Sequence, residues 1–135
     1  MHVDGRCHCG AISFEAEVDP ATTGICHCTD CQALTGTAFR VTVKAPAEGF
    51  VIRGTPTVYV KTADSGQKRA HAFCPTCGSP IYATSADNPQ TYGLRLGTIR
   101  QRRVLVPRRE SWCDSELSWS RNLETLGLER YPRQR

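Results

Sequence analysis

Hydrophobic and polar positions alternate along most of this chain, and the alternation has a period of two. In AISFEAEV (11–18), Ile12, Phe14, Ala16 and Val18 face one way and polar or small residues the other. TAFRVTVK (37–44) repeats the pattern through Phe39, Val41 and Val43. FVIRG and TVYVKT are short and β-branched, and Gly54, Thr55 and Pro56 predict a turn between two strands. RAHAFC, PIYAT and TYGLRLG read as further strands, the last two separated by the loop SADNPQ, and ESWC is the final strand candidate. Helical signals are few. TDCQALTG predicts one or two turns, with Thr29 or Asp30 as N-cap and Gly36 as the stop. LSWSRNLETLG (117–127) predicts another short helical piece. The expected fold is mainly β, compact and twisted, with antiparallel sheets and short helical turns.

Composition sharpens this. A chain of 135 residues suits one domain, expected over 1–135, and 39% hydrophobic with 7% aromatic residues supplies only a modest core. Crosslinks would suit such a thin core, and eight cysteines are present. MHVDGRCHCG holds no apolar run of a secretory signal, and no stretch is long and apolar enough to span a membrane. The expectation is a cytoplasmic, reducing setting, where close cysteine pairs bind metal or do chemistry rather than form disulfides.

The cysteines fall into groups: Cys7 and Cys9; Cys26, Cys28 and Cys31; Cys74 and Cys77; and a lone Cys113. CPTCG at 74–78 is the form of a metal knuckle. Two thiolates three residues apart hold one ion, while glycine lets the chain turn its N–H groups toward the sulfurs. Such a knuckle supplies half of a tetrahedral site, and Cys7 with Cys9, flanked by Gly5 and Gly10, is the economical other half. A redox CxxC would open a helix in an α/β setting, which the β signal after Pro80 does not offer.

Cys26, Cys28 and Cys31 remain. Three protein ligands with one exchangeable position is the arrangement of catalytic zinc, whereas structural zinc is closed. Spacing leaves open whether His8, His27, His71 or Cys113 completes the set, or whether the three are inert thiols. In an extended Cys-x-Cys the His27 side chain points away from the metal face. A triply thiolate-ligated zinc carries negative charge, and the backbone N–H groups of 35–37, Arg40 and Lys44 are candidates to offset it. Cys113 reads as a small buried hydrophobe, and Trp112 and Trp119 as core or edge cover. His8 and His71 read as surface or packing residues.

Net charge is +4, and from Ile99 onward there are nine arginines and no lysine. Interruption by Glu110, Asp114, Glu116, Glu124 and Glu129, without a nucleic-acid motif, favours a solvated surface over a nucleic-acid binder.

The ordered set GRCHCGAISFEAEV, CHCTDCQALTGTAF, FCPTCGSPIY and YGLRLGTI, with a tryptophan-containing tail, resembles the glutathione-dependent formaldehyde-activating enzyme family, which shares its domain with centromere protein V. The likeness runs from Gly5 to about Trp119. It implies a β-tent, zinc-ribbon-related fold and two zinc ions per chain. One is structural, on Cys7, Cys9, Cys74 and Cys77. The other is functional, on Cys26, Cys28 and Cys31, where a glutathione thiol engages. It implies carbon–sulfur lyase chemistry joining glutathione and formaldehyde as S-(hydroxymethyl)glutathione, or the reverse. Arg100 departs from the family, many of whose members carry an acidic residue there. The alternatives are a non-catalytic zinc- or thiol-binding module and a nucleic-acid binder using the arginine-rich tail.

Overall fold

A computed structural model describes residues 1–134. The chain is mainly β, as the alternation predicts, and its strands form two sheets. The smaller holds β1 (His2–Arg6), β2 (Ser13–Glu17) and β5 (Val51–Arg53) in the order β1-β2-β5. The larger runs β10-β3-β4-β9-β8-β7-β6, from β3 (Gly24–Cys26), β4 (Arg40–Pro46), β6 (Thr57–Thr62), β7 (Lys68–Phe73), β8 (Pro80–Ser85), β9 (Thr91–Arg95) and β10 (Arg109–Ser111). Every pairing is antiparallel except β10 with β3, which is parallel. The turn at Gly54–Pro56 therefore does not close a hairpin. It carries the chain from one sheet to the other.

The core lies between the sheets. Phe14 and Ala16 of β2 face inward, and Val43, Ala45, Ile81 and Leu94 meet them from the large sheet. Burying each of Phe14, Val43, Ile81 and Leu94 contributes about 1.5–3 kcal/mol. Phe50 bridges the layers, with its ring centroid 6.1 Å from Phe14 and 4.6 Å from Tyr92. Gly5 lets β1 approach Ile99 as an isolated bridge. A Cβ there would sit 2.3 Å from the Thr98 carbonyl oxygen and 2.4 Å from the Phe14 ring.

Strands β1 and β3 carry little hydrophobic alternation and were not legible in the pattern. Glycine interrupts both, and pairing with a neighbour makes them strands. The single helix, α1 (Thr29–Thr35), ends at Gly36 in the left-handed region (φ 70°) as expected. Its N-cap is Cys28 rather than Thr29 or Asp30, with the thiol accepting from the Cys31 N–H. Residues 117–127 form two short 3-10 turns instead of an α-helix, and only Glu110 and Ser111 of ESWC lie in a strand. Trp112 and Trp119 are exposed (66% and 51%), so neither packs in the core. Cys113 is exposed as well, which corrects its reading as a buried hydrophobe.

Candidate metal centres

The hairpin β1–β2 turns through Cys7 and Cys9, and β7–β8 turns through Cys74 and Cys77. Both turns are tight. Gly10 N–H donates to the Cys7 carbonyl at 3.2 Å, and Gly78 N–H to the Cys74 carbonyl at 2.9 Å, each glycine at positive φ. His8 N–H donates to Ser79 Oγ at 3.0 Å and ties one turn to the other. The four sulfurs converge within 4.8 Å of one another. Cys7 and Cys9 sulfurs lie 3.6 Å apart, and Cys9 and Cys74 sulfurs 3.7 Å. Zinc–sulfur bonds of ~2.3 Å in a tetrahedron require sulfurs ~3.8 Å apart, so the set fits that ion.

Backbone donors are already in place for thiolates. Ile12 N–H points at Cys7 Sγ (3.3 Å), and Thr76 and Cys77 N–H groups point at Cys74 Sγ (3.4 and 3.5 Å). Ser79 and its backbone N–H lower the Cys77 thiol to about 5. At Cys9 the Ala11 N–H pulls the thiol down, but desolvation and the other three sulfurs push it up to about 11. Four sulfurs this close do not all ionise without a cation among them.

The second cluster, Cys26, Cys28 and Cys31, also converges within 4.8 Å. Cys26 ends β3, and Cys28 and Cys31 bracket the start of α1. No fourth cysteine or histidine joins this group among the described residues. Instead Cys26 lies directly opposite Arg40 in the β3–β4 ladder, with Ser111 of β10 on its other side. Arg40 is 6% exposed, and its Nε–H donates to Cys31 Sγ at 3.4 Å. Burial pushes the Cys31 thiol up to about 12 despite Arg40, because Cys28 and Cys26 crowd it. The donor set is soft, thiolate-rich and backed by a cation, which fits a zinc ion.

Of the groups expected to offset charge, Arg40 is at the cluster and Lys44 is exposed elsewhere. His27 turns away from the sulfurs. It is 2% exposed, and its Nε2–H donates to Glu110 at 2.9 Å, with Glu116 at 4.0 Å. Its carbonyl accepts from Gln32 Nε2 and Ser115 Oγ, which fastens the chain after β10 onto α1. His8 is exposed as expected. His71 is a packing residue, half-buried, and its Nδ1 faces Arg95 Nη2 at 3.3 Å. Sequence reasoning missed Arg95. It ends β9, between Leu94 and Leu96, and the alternation there assigns it to the face opposite the core.

A cavity of about 940 Å³ runs from the first centre, at Cys7 and Ser79, to Thr35, Thr37 and Arg40 beside the second. The three sulfurs of the second cluster do not line it. Arg40 belongs to both cluster and cavity. Arg100 reaches the rim, where Nε and Nη2 clamp Asp4 at 2.9–3.2 Å. There it closes β1 onto the segment after β9.

Two sheets that converge seven of eight reduced cysteines into a four-sulfur and a three-sulfur cluster define a cysteine-rich β protein with two clusters able to hold metal. Residues 2–115 match the family of the glutathione-dependent formaldehyde-activating enzyme. The chain belongs to that family. It is also similar to a crystal structure of a Rhodobacter sphaeroides protein, with 25% identity and a TM-score of 0.63, covering 80% of this chain and 99% of that one. Family membership supports a glutathione- and formaldehyde-related function. Among the described residues, no helix is long and apolar enough to cross a membrane.

Proposed function

We propose that the protein is a zinc-dependent carbon–sulfur lyase in which Cys26, Cys28 and Cys31 form the working centre. Cys7, Cys9, Cys74 and Cys77 hold a second, structural zinc in this reading. The reaction is addition of a substrate thiol to an aldehyde. The S–H adds across C=O, a carbon–sulfur bond forms, and the proton ends on oxygen. With glutathione and formaldehyde the product is S-(hydroxymethyl)glutathione, and the reverse direction releases both.

One observation carries the reading. The three-sulfur cluster gathers no fourth cysteine or histidine among the described residues, and a buried arginine donates to one of its sulfurs. Zinc bound there would supply a Lewis acid that keeps a substrate thiol ionised at neutral pH. The chain's own residues do the rest. Arg40 offsets the excess negative charge of a thiolate set through its bond to Cys31. Cys28, as N-cap, fixes the start of α1 and thereby the spacing to Cys31. Thr35 Oγ1 donates to the Cys31 carbonyl at 2.7 Å and holds the other end of that turn. The cavity beside Arg40 has the volume to take a peptide-sized thiol.

The test is metal content together with turnover. Purified protein should carry two zinc ions per chain and accelerate equilibration of formaldehyde with glutathione. One zinc, or no acceleration at two, would overturn the reading.

A further inference from the structure

The outer face of the large sheet holds two buried guanidinium groups with different surroundings. Arg40 has spent its Nε–H on Cys31. Arg95 has not. In the β4–β9 ladder Arg95 opposes Thr42, so it lies diagonal to Arg40 on the same face. It is 8% exposed and lines the cavity. Its Nε–H is buried with no hydrogen-bond partner among the described residues. Its Nη2 meets only the ring nitrogen of His71, which reaches it across Ala83 and Gly93, neither of which has a side chain long enough to intervene.

Among the described residues no acidic side chain pairs with Arg95, although Arg53, Arg100 and Arg121 all have carboxylate partners. His71 cannot serve as a counter-ion, because an imidazole is neutral or cationic; burial and the neighbouring arginines hold it neutral at physiological pH, with its pKa near 4. Burial, with Arg40 next to it, lowers Arg95 to about 9, which leaves it charged at pH 7. A buried cation with an idle donor is costly unless a partner arrives from outside.

We propose that Arg95 is the specificity residue of this cavity and binds a carboxylate of the substrate, so that the site selects thiols that carry a negative charge. The proposal rests on the thiol-centre reading above. Arg40 stays with the sulfur, while Arg95 one sheet diagonal away takes the acid. Its planar fork suits a carboxylate, and the idle Nε–H with a neighbouring Nη–H is the bidentate edge. His71 accepts from the remaining side and holds the guanidinium in place.

The experiment compares S-methylglutathione with its dimethyl ester by calorimetry on metal-loaded protein at physiological salt. The thioether keeps both carboxylates but has no ionisable sulfur, so it reads the anion subsite without the thiol centre. Wild-type protein should bind the free acid on the order of ten-fold or more tightly than the ester. Arg95→Gln should bring that ratio close to one, and Arg95→Lys should restore part of it. A ratio near one in the wild type overturns the proposal, and that comparison needs no variant to fold. An unchanged ratio in folded Arg95→Gln overturns it too. Glutathione binding no more tightly than S-methylglutathione, with the acid-to-ester ratio intact, would overturn the thiol-centre reading and leave the Arg95 subsite standing.

Discussion

The two cysteine clusters are made of the same ligand atom and do not look alike. The four-sulfur cluster joins two hairpin turns whose sulfurs are 65 residues apart at Cys9 and Cys74. Backbone N–H groups surround it, and among the described residues no buried cation donates to its sulfurs. The three-sulfur cluster is local in sequence, lies at the start of a seven-residue helix, and has Arg40 against it. The first arrangement brings four thiols from two distant parts of the chain together. The second brings three together and positions charge beside them. In the proposed reading, the difference between a staple and a working site is one ligand and one arginine.

The sharpest way to break that contrast is Cys74→Ser. Closing a long loop through metal makes binding free energy part of folding free energy, on the order of 10 kcal/mol for a structural zinc. The variant should lose its cooperative thermal transition, with both metals lost. Retention of a native-like melt by circular dichroism would show that the four-sulfur cluster does not hold the fold.

Cys28→Ser should act on the other side of the comparison. Serine is itself a good N-cap, so α1 should survive. Metal content should fall by one ion per chain and turnover by about a thousand-fold or more, as expected when a residue essential to the reacting centre is removed. The melting temperature should shift by only a few degrees, roughly the effect of 1 kcal/mol in a domain of this size. Global unfolding in this variant would make the second cluster a staple as well.

Arg40→Met separates charge from packing. Removing a cation from beside thiolates favours their protonation, so affinity for the second metal ion should fall about ten-fold. The metal-free protein should be no less stable than wild type, because a buried cation without a carboxylate partner costs more than a methionine of similar length. Competition with a chelator and apo-protein melts measure the two effects.

The smallest effect lies at His71. Burial and Arg95 lower its pKa from 6.5 to about 4. Between those values the unfolded chain takes up a proton that the folded chain refuses. Stability should therefore fall as pH falls through that window and be flat above it with respect to this group. His71→Asn can still accept from Arg95 and should give a shallower acid limb in denaturant melts. An identical limb would remove His71 from the account.

How much of this was legible beforehand depends on the distance over which each feature is determined. The period-two runs gave the strands around Phe14, Val43 and Ile81, because alternation is a local property. The knuckle at Cys74–Gly78 was equally local. That Cys7 and Cys9 are its partners came from counting. Register was not legible. Nothing local to Arg95 says that β9 lies beside β4 with Thr42 opposite, or that His71 reaches across β8 to meet it. The parallel pairing of β10 with β3, which brings Ser111 to Cys26 and Glu110 to His27, is of the same kind. The exposed Trp112 and Cys113 were misread because an isolated apolar residue carries no period to show which side it takes.

The central claim is that the three-sulfur cluster has an exchangeable fourth position and the four-sulfur cluster has none. Cobalt-substituted protein tests it directly, since each thiolate bound to cobalt adds charge-transfer absorbance. Titration with glutathione should raise that band by one thiolate per chain. The increment should vanish in Cys28→Ser. No change on adding thiol, in protein holding two cobalt ions, would mean that both centres are closed.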